Sequence, residues 1–308
     1  MRCGNDAAMI TANERDRIIF GCGNFGGLGS PPENRDKGDN REQALAMLDL
    51  ARDRGLTRFD TANTYGGGAS EAILGEWLVR QDASLRARFQ IATKVGNPHG
   101  CPPGDRPLSR TQIAHHLDQS LRRLGLEQIG LYYLHEFDPR TPLEETLEGL
   151  DRALSAGKIA SFGISNATLA DLKAVLSLTD GKLRQALTHV QNEFNLLVQR
   201  DRADLMPLAR AERITYVAFS PLAGGLLSGK YRRGVEPQSG RMNDVRAMYE
   251  HLLTPESFDA IEALRQRAAA QGLSVPGAAL RFVLDEPGVD LIIAPRTLAQ
   301  FEAYGIAA

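Results

Sequence analysis

The chain has 308 residues, of which 43% are hydrophobic and 24% charged, with a formal net charge of −2. A chain of this length buries enough surface to need no disulfide or metal staple. Its slight acidic balance excludes the basic surface of a general nucleic-acid or membrane-surface binder. Three scattered cysteines (Cys3, Cys22 and Cys101), an N-terminus without an apolar h-region, and no run of about 18 apolar residues together predict a cytoplasmic protein with no membrane segment.

Strand-like and helix-like segments alternate along the chain. RIIFGCG (17–23) reads as a strand, and REQALAMLDLARDRG (41–55) reads as a helix stopped by glycine. Next come TRFD (57–60), the helix SEAILGEWLVRQ (70–81), FQIATKV (89–95) and the helix SRTQIAHHLDQSLRRLG (109–125). IGLYYLH (129–135), the helix over 141–158, IASFGIS (159–165) and the helix over 168–179 repeat the pattern. ALTHVQ (186–191), a helix over 201–213 and ITYVAFS (214–220) complete the regular part, and the rest contains NDVRAMYEHLL (243–253), PESFDAIEALRQRAAAQG (255–272), VPGAALRFVLDEPG (275–288) and DLIIAP (290–295).

Eight strand candidates result, each apolar through its middle, as strands covered on both faces of a parallel sheet are. Eight strands separated by helices predict an α/β chain folded as one (β/α)8 TIM barrel over 1–308, with 1–16 as a flexible N-terminal extension. The longest irregular segments, 24–40, 95–108 and 220–241, each follow a strand and so belong to the C-terminal face, where barrel active sites are built.

Two glycine motifs invite other readings. Gly21-Cys-Gly23-Asn-Phe-Gly26 spells GxGxxG after a strand, but GLGSPPEN follows it instead of the helix that a dinucleotide fold needs. A tight turn beside the barrel mouth explains these glycines. The stretch Gly224–Tyr231 nearly spells a P-loop, yet Tyr231 stands where a Ser or Thr must bind magnesium. His115 and His116 point about 100° apart on a helix, which makes a poor metal site and a surface pair. No metal is expected.

Asp60 and Tyr65 in FDTANTYGGGASE, Lys94 in IATKVG and His135 in LYYLHEFDP follow the second, third and fourth strands. Taken singly, each has an ordinary structural explanation; jointly they would line one barrel mouth and suit carbonyl chemistry. A phenol can protonate a carbonyl oxygen if a nearby ammonium lowers its pKa, and a carboxylate keeps that ammonium charged. This assigns Tyr65 as general acid, Lys94 as its tuner, Asp60 as the partner of Lys94, and His135 as a neutral imidazole that orients the substrate.

These segments closely resemble the aldo-keto reductase superfamily, whose tetrad is an Asp, a Tyr, a Lys and a His in this order. The resemblance runs over roughly 17–302. It implies an NADPH (NADP+) cofactor and a small-molecule carbonyl or alcohol substrate, with the protein a monomer or weak homo-oligomer. By the same resemblance, Ser165 and Asn166 in GISN and Gln191 in VQNEFN hold the nicotinamide carboxamide, and Phe219 stacks on the ring. Ser220, Leu222, Gly224, Lys230 and Arg241 surround the pyrophosphate, and Asn24 joins the cofactor set. In IIAPRTLAQFEA, Arg296 is implied for the adenosine 2′-phosphate and Gln300 for the adenine side. Ala294 and Tyr304 depart from the Gly and Asn common in the family, which weakens the adenine side. The short tail implies an open substrate pocket.

Two other functions share these residues. A Schiff-base lyase would use Lys94 as nucleophile, and a redox sensor or partner subunit would bind the cofactor with little turnover.

Overall fold

Eight short apolar segments pair side by side in parallel and close on themselves in the computed structural model, which describes residues 10–35, 37–102, 104–235 and 240–306. They are β1 (Ile18–Gly21), β2 (Arg58–Asp60), β3 (Gln90–Val95), β4 (Ile129–Leu134), β5 (Ile159–Ser165), β6 (Leu187–Glu193), β7 (Thr215–Phe219) and β8 (Val289–Ile293). Each pairs with its sequence neighbour, and β1 with β8, giving the expected (β/α)8 barrel. Residues 1–9 of the expected flexible extension lie outside the described residues. Within the rest of it Ile10 is buried, and its N–H donates to Gly305 O at 3.0 Å.

Side chains that point outward from the barrel meet the helices. Phe59 lies between Phe20 and Trp77, with ring centroids 6.1 and 5.1 Å away, and Trp77 also packs on Phe89 at 4.9 Å. Inside the barrel, a small apolar group (Ile19, Val217, Ile292) sits beside the Arg58–Asp290 ion pair and Tyr133. Gly163 leaves room for that tyrosine, since a Cβ there would be 2.5 Å from Tyr133 Cε1. The β5–β6 register shifts at this point, between Phe162 and Gly163.

Helix starts follow the capping signals. Asn40 and Gln43 form a reciprocal capping box for 41–53, Thr168 and Asp171 do the same for 169–178, and Gly125 closes 110–124 in the left-handed region. Short helical turns at Arg241–Asp244, Arg246–Met248 and Glu250–Leu252 follow one another in the segment before the helix 255–270. Met242, Val245, Tyr249 and Leu252 are all buried. Val245 at φ −146° and Tyr249 at φ −126° separate the turns, and the Arg241 guanidinium bonds back to Tyr249 Oη at 2.9 Å.

Close packing of the helix 69–79 on the one at 110–124 makes one stability prediction. A Cβ at Gly75 would stand 2.1 Å from Arg123 O, which is backbone and cannot swing away. Gly75→Ala gains about 1 kcal/mol of helix propensity, but overpacking of this kind costs about 1–3 kcal/mol and here involves a hard clash. The urea midpoint should therefore fall. A raised midpoint would mean that the two helices are not held this closely.

Candidate active site

The C-terminal ends of β2, β3 and β4 carry Asp60, Lys94 and, one residue beyond β4, His135. Lys94 is fully buried, and its Nζ donates to Asp60 Oδ1, to Thr61 O at 2.9 Å and to Tyr65 Oη at 3.2 Å. Tyr65 opens a 3₁₀ turn (Tyr65–Gly68) in which Gly66 has φ 57°. A Cβ at Gly66 would lie 2.5 Å from Phe25 O, so the turn presses directly on the loop after β1. The Tyr65 and His135 rings meet edge to face, with centroids 5.5 Å apart. All four residues of the expected constellation therefore converge.

Burial governs the electrostatics. It pulls the Lys94 ammonium down, but the Asp60 and Tyr65 charges and their hydrogen bonds carry the group above its ordinary value. His135 is driven well below the usual histidine range by burial and then by Lys94, so its imidazole is neutral. Tyr65 corrects the sequence expectation. Burial pushes its phenol up; Lys94 opposes this by charge and hydrogen bond, while Asp60 and Cys22 reinforce it. The net direction is upward. The site thus holds a protonated phenol and a neutral imidazole against a buried ammonium, groups able to give a proton to a developing oxyanion.

The residues expected at the nicotinamide gather at the same mouth. Asn166 has φ 53°, and its Nδ2 donates to His135 O at 3.0 Å. Ser165 pairs in register with Gln191. The Gln191 amide is already engaged, because its Nε2 donates to Asp60 Oδ2 at 2.9 Å. Phe219 packs on Ile19, Val217 and Ile292 at the barrel centre. Beyond it, Ser220 and Gly224 have φ 55° and 65°, and Leu222 lies between them at the start of a kinked 3₁₀ segment.

Lys230 lies against Gly240, where a Cβ would stand 2.3 Å from its Nζ, and Arg241 follows next in the chain. Arg241 also donates to Asn24 Oδ1, and Asn24 donates to Ala294 O at 3.3 Å. Arg296 Nε donates to Asp39 Oδ1, and the Arg296 N–H donates to Gln300 Oε1, both at 2.6 Å. This donor set of backbone turns, amides and three cations suits an anionic dinucleotide. Tyr304, at the adenine-side position, is buried near Ile306 and Phe301.

Sequence reasoning missed Asp39, which sits in an ordinary polar loop just before a helix cap. It also placed His116 on the surface, whereas His116 is buried with Nε2 3.4 Å from Cys101 Sγ; His115 is exposed. The apolar neighbours Ile113 and Leu117 turn that helix face inward. Gly26, at φ 68° against Ala69, belongs to a loop and not to a helix start. No group of three or more metal-ligating side chains occurs among the described residues, and none of their helices is long and apolar enough to cross a membrane.

The sequence model described as "Aldo/keto reductase family" matches residues 17–303. The L-glyceraldehyde 3-phosphate reductase of Escherichia coli (strain K12) is 34% identical over 259 residues, which is 82% of this chain and 74% of that protein. Aldo-keto reductase yakc [NADP(+)] of Schizosaccharomyces pombe is 27% identical over 91% of this chain and 79% of its own length. Among solved structures, the thermostable aldo-keto reductase Tm1743 in complex with the inhibitor epalrestat aligns with a TM-score of 0.71 at 24% identity, over 94% of this chain and 88% of that one. That similarity extends the fold match to nearly the whole barrel.

Proposed function

Because the chain belongs to the aldo/keto reductase family, we propose that it is an NADPH-dependent reductase that converts an aldehyde or ketone to an alcohol with Tyr65 as general acid. The family acts on carbonyl substrates as oxidoreductases. One observation carries the finer reading: Lys94 Nζ reaches both Asp60 and Tyr65 Oη inside a buried mouth shared with His135.

The cofactor, when bound, supplies hydride to the carbonyl carbon. Ser165, Asn166 and Gln191 would hold its carboxamide, with Phe219 against the ring. Ser220, Leu222, Gly224, Lys230, Arg241 and Asn24 would surround the pyrophosphate, and Arg296 and Gln300 the adenosine end. The chain's own work is proton delivery. As negative charge grows on the substrate oxygen, Tyr65 Oη releases its proton, and the phenolate left behind is stabilised by Lys94 at 3.2 Å. Asp60 keeps Lys94 charged, and neutral His135 donates to the same oxygen.

A Schiff-base lyase needs a free amine at Lys94. Three hydrogen bonds and an upward pKa hold that nitrogen as ammonium, which argues against it. The name of the E. coli relative supports a small, sugar-like carbonyl substrate, and that of the S. pombe relative supports NADP.

The test is the loss of reduced-nicotinamide absorbance with an activated aromatic aldehyde, alongside a titration of each dinucleotide. Binding and turnover are expected. Binding without turnover across a panel of carbonyls would instead favour the sensor reading, and no binding at all would remove the cofactor from the account.

A further inference from the structure

Asp39 lies in the loop between β1 and the helix 41–53, a position to which the mechanism assigns nothing. It is only 3% exposed. Its backbone is tied into the turn that carries Asn24, with its N–H donating to Asn24 O at 2.7 Å and its carbonyl accepting from Gly26 N at 2.9 Å. One carboxylate oxygen, Oδ1, accepts from Arg296 Nε at 2.6 Å. The other, Oδ2, is buried with no hydrogen-bond partner. Burial raises the Asp39 carboxyl, with Arg296 and then Arg241 opposing.

We propose that Asp39 is a specificity-determining residue for the adenosine end of the cofactor, lowering the preference for a 2′-phosphorylated dinucleotide over its 2′-hydroxyl form. The inference rests on the reductase reading above and on Arg296 as the 2′-phosphate partner. A guanidinium is attractive to phosphate because it carries net charge and a fork of donors. Here that charge is already balanced by a carboxylate on the Nε edge, and any phosphate on the remaining edge feels the same carboxylate as a repulsion.

The second carboxylate oxygen, Oδ2, is buried and takes no hydrogen bond among the described residues, so Arg296 is the side-chain donor that answers this charge. Asp39 thus acts on the adenosine end through Arg296.

The experiment is calorimetric titration of NADP+ and of NAD+ into the full chain as wild type, Asp39→Asn and Arg296→Ala. Asp39→Asn should raise the ratio of the NAD+ to the NADP+ dissociation constant about tenfold, since it removes the repelling charge and frees Arg296. Arg296→Ala should lower that ratio. If Asp39→Asn does not fold, Asp39→Ser should give the same shift. A carboxylate that merely holds the loop, or merely orients Arg296, would weaken both dinucleotides together or weaken NADP+ more. An unchanged or reduced ratio in the Asp39 variants, with both dinucleotides still bound, overturns the proposal and leaves the reductase reading standing. Failure of wild type to bind either dinucleotide overturns both.

Discussion

Tyr65→Phe should reduce turnover by about 10²–10⁴-fold, the usual worth of a positioned general acid, while NADP+ affinity changes by less than about twofold. The substitution removes one oxygen and leaves the ring packed against His135 and beneath Lys94, which stands 4.8 Å from the ring centroid. The mouth should keep its shape, so the loss falls on the proton and not on binding. Steady-state rates and a binding titration on the same preparation separate the two. Wild-type turnover in the variant would mean that another group protonates the carbonyl oxygen. A large loss of NADP+ affinity would mean that Tyr65 shapes the cofactor site instead.

Lys94→Met should abolish measurable turnover and also destabilise the protein. The reason is the partner left behind. Asp60 is nearly as buried as Lys94, and besides Lys94 its carboxylate accepts from Gln191, a neutral amide. Stripping the cation from a buried ion pair costs about 3–5 kcal/mol, because the remaining charge is uncompensated. A double variant, Lys94→Met with Asp60→Asn, removes that charge and should recover most of the lost unfolding free energy while staying inactive. Urea denaturation of the single and double variants tests this. If the single variant is as stable as wild type, the pair contributes little to the fold. Activity in the double variant would show that the phenol works without its ammonium.

Much of the barrel was legible because most strands are short runs with buried apolar residues, and β2 to β5 each carry a candidate site residue at, near or just past their ends. Asp60, Lys94 and Ser165 lie at or near strand ends, and His135 lies one residue past β4. Register then carries them to one rim without further information. What the sequence hid depends on three-dimensional neighbours. The rise in the Tyr65 pKa is a burial effect, and Lys94 alone suggested the opposite sign. Gln191 looked free for a carboxamide, but its Nε2 lies against Asp60 from a strand on the far side of the barrel. Asp39 gave no signal, since an aspartate before a helix cap is common and its partner, Arg296, is 257 residues away. The reach of Arg241 to Asn24 is hidden in the same way, since 217 residues separate the two.

The seam between β1 and β8 has a consequence for synthesis. Arg17 Nε donates to Val289 O at 3.0 Å across 272 residues, and Leu291 N donates to Arg17 O at 2.9 Å. On a ribosome, the first strand therefore emerges with one edge satisfied early by β2 and the other open. At the usual elongation rates it waits roughly 15–50 s for its last neighbour to be made. During that time Ile18, Ile19 and Phe20 present an apolar strand with free N–H and C=O groups, the kind of edge that recruits foreign strands. The nascent chain thus carries this open edge until β8 has been made, and the pairing of β8 with β1 is what closes it.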